Sequence, residues 1–298
     1  MDKQISSNIF WMLFQPVFVF GSTFLAASAV VYDWMDSGTL VSILLLFPIP
    51  FYLILERFHP KRKDWLLSWS DLAEDVFWVS ATYLIWLPIY DEHYSTPISD
   101  LFNSLRDQSG LSLNFDGYGM FGLVAVAILL MFLKEFISYW LHRMQHRFMF
   151  FWRIHATHHH ITKMSVARTD RTHPLEFLGL TLGSAIVLGF FGASADVVGV
   201  YLVFGMSIAY SCHSNLPMTP GIFGFFFNTP MWHQQHHSCN YAESNTNFGC
   251  TVIIWDRVFG TFSSNTITAK IGNGTGDKLS LFTQLTLPFR SNKVIRKL

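Results

Sequence analysis

Charge is what this 298-residue sequence has least of: 13% of its residues are Asp, Glu, Lys or Arg, against about 25% in an ordinary soluble domain. A chain so poor in charge and 51% hydrophobic reads as one built for a bilayer. No excess of either sign is present, because 20 basic and 20 acidic side chains cancel. Composition therefore offers no argument for nucleic-acid binding. Cysteine is scarce too. Cys212, Cys239 and Cys250 form no C-x-x-C pair and no disulfide framework. The sequence also lacks a glycine-rich dinucleotide fingerprint. Against these absences stand thirteen histidines and several long uncharged runs.

The uncharged runs are long enough to matter. Ile9–Tyr32 can cross a bilayer and lacks the basic start and small-residue cleavage site of a signal peptide, so it reads as a retained helix. Ser37–Leu55 is a second run, with Pro48 and Pro50 predicting a kink or a stop. Val76–Tyr90 is a third, short enough to be a buried or interfacial helix. Gly117–Leu133 is a fourth and continues helically toward Leu141. Phe177–Ala195 and Val197–Cys212 read as a helical hairpin turning near Gly192–Asp196. Lys and Arg set the orientation. With the N-terminus in the cytoplasm and six passes, the outer loops Asp33–Gly38 and Asp91–Asp116 hold one basic residue, Arg106. The turn at Asp196 holds none, and the other 19 of the 20 fall on the cytoplasmic side.

Eleven of the thirteen histidines lie between His142 and His237. His142 and His146 are i, i+4 neighbours. His155, His158 and His159 form His-x-x-His-His, and His233, His236 and His237 repeat it. Residues three and four apart share a helix face, so each group is expected to aim two or three imidazoles at one point. Imidazole suits transition metals, whereas Mg and Ca prefer oxygen. Eight clustered histidines exceed what one tetrahedral ion needs. Adding the isolated His173 and His213 gives ten ligands, enough for two ions. His160 follows a complete His-x-x-His-His and is left out; His59 and His93 read as ordinary core or surface residues. A histidine-rich surface tract does not explain helical spacing in three separate places. Every group falls on the cytoplasmic side of the proposed topology.

Carboxylates are sparse around these groups. The Glu and Glu-x-x-His pattern of ferritin-like di-iron bundles is absent. Glu135 shares a helical stripe with Tyr139, His142 and His146, and is placed to orient a ligand from behind. An ion pair with Lys134 is the slightly favoured reading, and Glu176, three residues after His173, is read the same way. No Glu lies inside a histidine box, which weighs against a zinc hydrolase needing a carboxylate base. A metal transporter would carry its histidines within the spans, whereas here they follow the spans.

The motifs His142-x-x-x-His146, Trp152-x-x-His155-x-x-His158-His159, Arg171-x-His173-Pro174-x-Glu176, His213, His233-x-x-His236-His237 and Trp255-Asp256-Arg257-x-Phe259-Gly260-Thr261 together resemble the fatty acid hydroxylase / sterol desaturase superfamily. The resemblance runs from about Phe132 to Phe262. It implies an all-α integral membrane protein of about four to six membrane-embedded helices carrying a cytoplasmic helical cap. In that reading 1–120 is an anchor region, 121–263 the catalytic domain and 264–298 a cytoplasmic tail. It also implies two iron ions, O2 as co-substrate, and hydroxylation or desaturation of a lipid. Asn245 and Gly249 fall in a stretch similar to the Asn/Gly-rich segment after the last box, and Asn245 joins Glu135 and Glu176 as a residue near the ligands. The Trp255–Thr261 motif reads as structural. No His-Pro-Gly-Gly haem motif occurs, since His59-Pro60 is followed by Lys61-Arg62. Electrons are therefore expected from a separate cytochrome b5-, ferredoxin- or reductase-type partner.

Overall fold

The computed structural model describes residues 2–111, 119–265, 270–272 and 277–295. Among them the chain is helical, with two isolated β-bridges, Phe227 to Val252 and Ser238 to Ile271. The elements that matter are α1 (Asp2–Tyr32), α2 (Ser37–Phe58), α3 (Trp69–Gln108), α4 (Gly119–Arg147), α5 (Met149–His159), α6 (Pro174–Phe191), α7 (Ala195–His213) and α8 (Pro230–His236). Among the described residues six helices are long and apolar enough to cross a membrane: α1 from Asn8, α2, α3, α4, α6 and α7. The predicted Gly117 start of the fourth run, the end of the Asp91–Asp116 loop and parts of the 264–298 tail lie outside the described residues.

The fold narrows one expectation and changes another. Pro48 and Pro50 do not stop α2, because Phe47 keeps helical torsions (φ −57°, ψ −36°) between Ser37–Leu46 and Pro48–Phe58. The third run is no short helix followed by a loop. It extends over 40 residues, about 60 Å at the α-helical rise. A capping box of Ser68 and Asp71 starts it. Widened π-turns at Thr82–Trp86 and Asp91–Ser95 carry it past Pro88 and Pro97. Its last turns run along α6: Ser99 Oγ donates to Ala185 O at 3.0 Å. A Cβ at Gly189 would lie 2.4 Å from Ser99 O, so only glycine allows this approach. The polar Asp-Glu-His stretch reads as a loop in sequence, but this contact holds it helical.

The hairpin of α6 and α7 turns at Gly192, whose φ of +61° suits glycine. Helix α7 is the centre of the bundle. Along its most apolar stretch 61% is buried, against 17–33% for the other spans, whose outer faces are left for lipid. Val200, Phe204 and Ile208 of α7 pack on Val19 and Ala27 of α1 and on Ala127 and Leu130 of α4. The C-terminal segment docks on α5. Thr157 Oγ1 donates to Gln284 O (3.1 Å), Arg153 Nη1 donates to Pro288 O (3.0 Å), and Leu287 packs on Ala156.

Candidate metal centre

The C-terminal ends of α4 and α7 meet α5 and α8, and nine of the ten expected histidines converge there in two groups. His142, His146, His155, His159 and His236 each offer one nitrogen within 4.8 Å of the others; His158, His213, His233 and His237 do the same. All nine are buried. The groups adjoin, with the rings of His159 and His237 stacked at 4.5 Å.

The boxes do not each aim at one point, as the spacing suggested. His155 and His159 enter the five-histidine group while His158 enters the other; His233 and His237 enter the four-histidine group while His236 enters the first. The reason is rotation about the helix. Positions i and i+4 are nearly superposed, whereas successive residues differ by about 100°. Adjacent histidines therefore diverge, and each His-x-x-His-His is divided between the two groups.

Hydrogen bonds behind the rings fix which nitrogen faces inward. Nδ1 of His142 donates to Phe248 O (2.5 Å), Nδ1 of His236 to Thr246 O (2.8 Å), and Nδ1 of His155 to the Glu176 carboxylate. In the other group Nδ1 of His158 donates to Arg171 O (3.3 Å) and Nδ1 of His213 to Ala209 O (3.0 Å). Each of these rings then presents a bare Nε2 lone pair. Yet Nε2 of His142 lies 2.9 Å from Nε2 of His155 and 3.0 Å from that of His236. His213 Nε2 lies 3.3 Å from His158 Nε2 and 2.9 Å from His233 Nε2. Facing lone pairs repel unless a cation sits among them. Protons are disfavoured as that cation, since burial pushes His155 down to about 3, His158 to about 4, and His159, His233, His236 and His237 well below the ordinary imidazole value. With metal–nitrogen bonds of about 2.1 Å, ligands at right angles sit roughly 3.0 Å apart. The donor sets fit two metal ions.

His173 stands apart. Its Nδ1 accepts from Leu175 N–H (3.1 Å) and its Nε2 donates to Leu285 O (3.1 Å), so both nitrogens are occupied in tying the start of α6 to the C-terminal segment. His160 is buried but outside both groups. Glu135 is fully buried and paired with Lys134 at 2.7 Å. Its other oxygen accepts from Thr251 N–H (2.9 Å) and Val252 N–H (3.3 Å), which ties α4 to the segment after the last box. Glu176 contrasts with it by touching a ligand directly. Asn245 ends the short Tyr241–Ser244 helix, and its neighbour Thr246 supplies the carbonyl behind His236. Asp256 accepts from Phe248 N–H (2.8 Å) and Gly249 N–H (2.7 Å), holding the Phe248 carbonyl at His142. The carbonyls of Thr246, Phe248, Arg171 and Ala209 escape sequence reasoning, because backbone acceptors carry no residue signature.

Both groups border one cavity of about 140 Å³, through His142 and His155 on one side and His158, His213 and His233 on the other. Its remaining walls come from α4, α6 and α7 and from Thr169, Thr172 and Cys250.

Residues 127–261 match the family model described as fatty acid hydroxylase. The histidine-bearing segment, a little under half of the chain, is thus similar to the fatty acid hydroxylase family. The chain is similar to an ornithine lipid hydroxylase of Rhizobium tropici, 34% identical over 168 residues covering 53% of this chain and 48% of that protein. It is similar to an alkylglycerol monooxygenase of Caenorhabditis elegans, 32% identical over 46% of this chain and 27% of that protein. A putative methylsterol monooxygenase of Dictyostelium discoideum is 23% identical over 85% of this chain and 88% of its own length. The chain thus spans half or less of the first two relatives. No solved structure matches it. The matched segment holds all nine converging histidines, Glu176 and every backbone carbonyl behind them, whereas α3 and the C-terminal segment lie outside it.

Proposed function

We propose that this protein is an integral membrane oxygenase that hydroxylates a C–H bond of a lipid at a di-iron centre. The carrying observation is the pair of adjoining all-histidine groups that share one cavity with the membrane-spanning helices. In this reading the five- and four-histidine groups each hold one iron. His173 and Asn245 act from outside, and Glu176 orients His155. The names of the relatives, a lipid hydroxylase and an ether-lipid monooxygenase, favour hydroxylation over desaturation.

When bound, the irons supply O2 activation: one oxygen atom enters the lipid and the other leaves as water, with two electrons and two protons from a separate donor of the cytochrome b5, ferredoxin or reductase type. The chain's own residues do the rest. The Nδ1–H bonds to Phe248, Thr246, Arg171 and Ala209 carbonyls keep the Nε2 atoms turned inward. Spans α4, α6 and α7 lead a lipid laterally to the cavity and exclude water from it. The 19-to-1 split of basic residues supports a centre on the cytoplasmic side, with 1–120 as anchor, 121–263 as catalytic domain and 264–298 as tail.

The test is incubation of purified, iron-loaded protein with lipid extract, a reductase system and ¹⁸O2. Heavy oxygen in a lipid product supports the proposal. An unlabelled alkene replaces hydroxylation with desaturation, and full turnover without O2 refutes both.

A further inference from the structure

A buried ionic network lies behind the four-histidine group, mostly outside the family-matched segment. Asp71, Glu74 and Asp75 occupy the first turns of α3. They face Arg168 and Arg171, two of the largest fully buried side chains. Arg171 Nη1 donates to Glu74 (2.8 Å) and its Nη2 to Asp75. Arg168 Nη2 donates to Asp71 (3.0 Å) and its Nε to Asp75 (3.4 Å). The C-terminal segment joins the same acids: Lys278 Nζ reaches Asp71 (3.0 Å) and Glu74 (3.2 Å), and Gln284 Nε2 donates to Glu74 (2.7 Å).

Burying so many charges is expensive, and apolar packing often serves stability as well or better. The placement of the network gives it a use. The main chain of Arg171 supplies the carbonyl that accepts from His158 Nδ1, and Thr169 and Thr172 beside it wall the cavity. A guanidinium gripped by two carboxylates in its rigid fork fixes its own backbone. We infer that Arg171, clamped by Glu74 and Asp75, is a positioning residue for the four-histidine ion, and that the C-terminal segment acts on that ion through Glu74. The inference rests on the two-ion reading of the site.

The five-histidine group is the internal control, because its ring-fixing partners are Phe248, Thr246 and Glu176. The probe is Co(II), titrated into the purified full-length chain and followed by bound-metal analysis and visible absorption. His158→Ala marks which spectral component belongs to the four-histidine ion. Arg171→Lys keeps the charge but loses the fork, and Asp75→Asn halves the grip. Both are expected to weaken the four-histidine ion about 10–100-fold and leave the other unchanged. Gln284→Ala, a milder change distant in sequence from every ligand, is expected to weaken the same ion several-fold. Equal weakening of both ions, or of neither, overturns the clamp alone. A parent chain that holds only one Co(II) overturns the two-ion reading and the clamp with it.

Discussion

Glu176→Gln isolates the worth of a charge behind a metal ligand. The Glu176 carboxylate is 2% exposed, touches His155 Nδ1 and also accepts from Gln145 Nε2 at 3.3 Å. Glutamine has the same length, and its amide oxygen can accept from the same ring N–H. The change therefore keeps the tautomer and the packing but removes the negative charge. A hydrogen bond to a charged group contributes about 1.5–3 kcal/mol and a neutral one about 0.5–1.5. The difference, about 1–1.5 kcal/mol, corresponds to roughly tenfold in affinity. Glu176→Ala goes further. It leaves a buried ring N–H without an acceptor, which costs about 1–3 kcal/mol, and the ring is free to turn. Metal titration of purified protein should then show the five-histidine ion weakened about tenfold in the glutamine variant and up to about 100-fold in the alanine variant. The four-histidine ion should stay within twofold of the parent. If Glu176→Gln binds both ions as the parent does, the carboxylate's charge is irrelevant to the ligand. If only the four-histidine ion weakens, the assignment of His155 to the other group is wrong.

Adjacent histidines should report on different ions. His159→Ala is expected to weaken the five-histidine ion, His158→Ala the four-histidine ion and His160→Ala neither, as read by bound-metal stoichiometry; identical behaviour of the first two refutes the split box. Acid should destabilise the metal-free protein. Burial lowers His155 to about 3 and His158 to about 4, while the unfolded chain takes up those protons below about 6.5. Stability is therefore full above 6.5 and falls at about 1.4 kcal/mol per pH unit per histidine down to about 4. Thermal melting in detergent checks this, and a melting point flat from pH 7 to 5 contradicts it. Cysteines placed at the exposed positions Ser109 and Ser291 should label from opposite sides of the membrane; labelling of both from one side overturns the six-pass arrangement.

How much of this was legible in the sequence depends on the range of the interaction that decides each feature. Spans α1, α4, α6 and α7 follow from local hydropathy, and their runs are visible because lipid selects for uninterrupted apolar composition. The continuation of α3 through Asp91–His93 was invisible. It depends on the fit of Ser99 against Gly189, 90 residues away in sequence, and a polar stretch carries no sign of a distant glycine. The histidine boxes were legible as converging groups because residue type and helical period are local. Their division between two groups is not legible from spacing alone, because residues three and four apart both count as one face, whereas only the i, i+4 pairs superpose well enough to enter the same group.

The carboxylates show the same limit at closer range. Glu135 and Glu176 have equal sequence claims, one on a stripe with His142 and the other just beyond His173. Their roles separate only through chain crossings. Glu135 points at the backbone of Thr251 and Val252 and fastens the segment that presents the Phe248 carbonyl, so it bears on His142 only through that segment. Glu176 meets His155 because the 3-10 turn at Pro174–Glu176, started by His173, carries the carboxylate back toward α5. That gives His173 a reason to be a histidine while lying outside both groups. Its Nδ1 must accept to start the turn while its Nε2 must donate to Leu285, and neutral imidazole provides an acceptor and a donor on opposite sides of one ring. Asparagine offers both groups too, but on a shorter arm that cannot span from Leu175 N–H to Leu285 O. His173→Asn should therefore retain both ions yet loosen the C-terminal segment, seen as faster amide exchange at residues 284–287 and 289; loss of one ion instead would make His173 the tenth ligand.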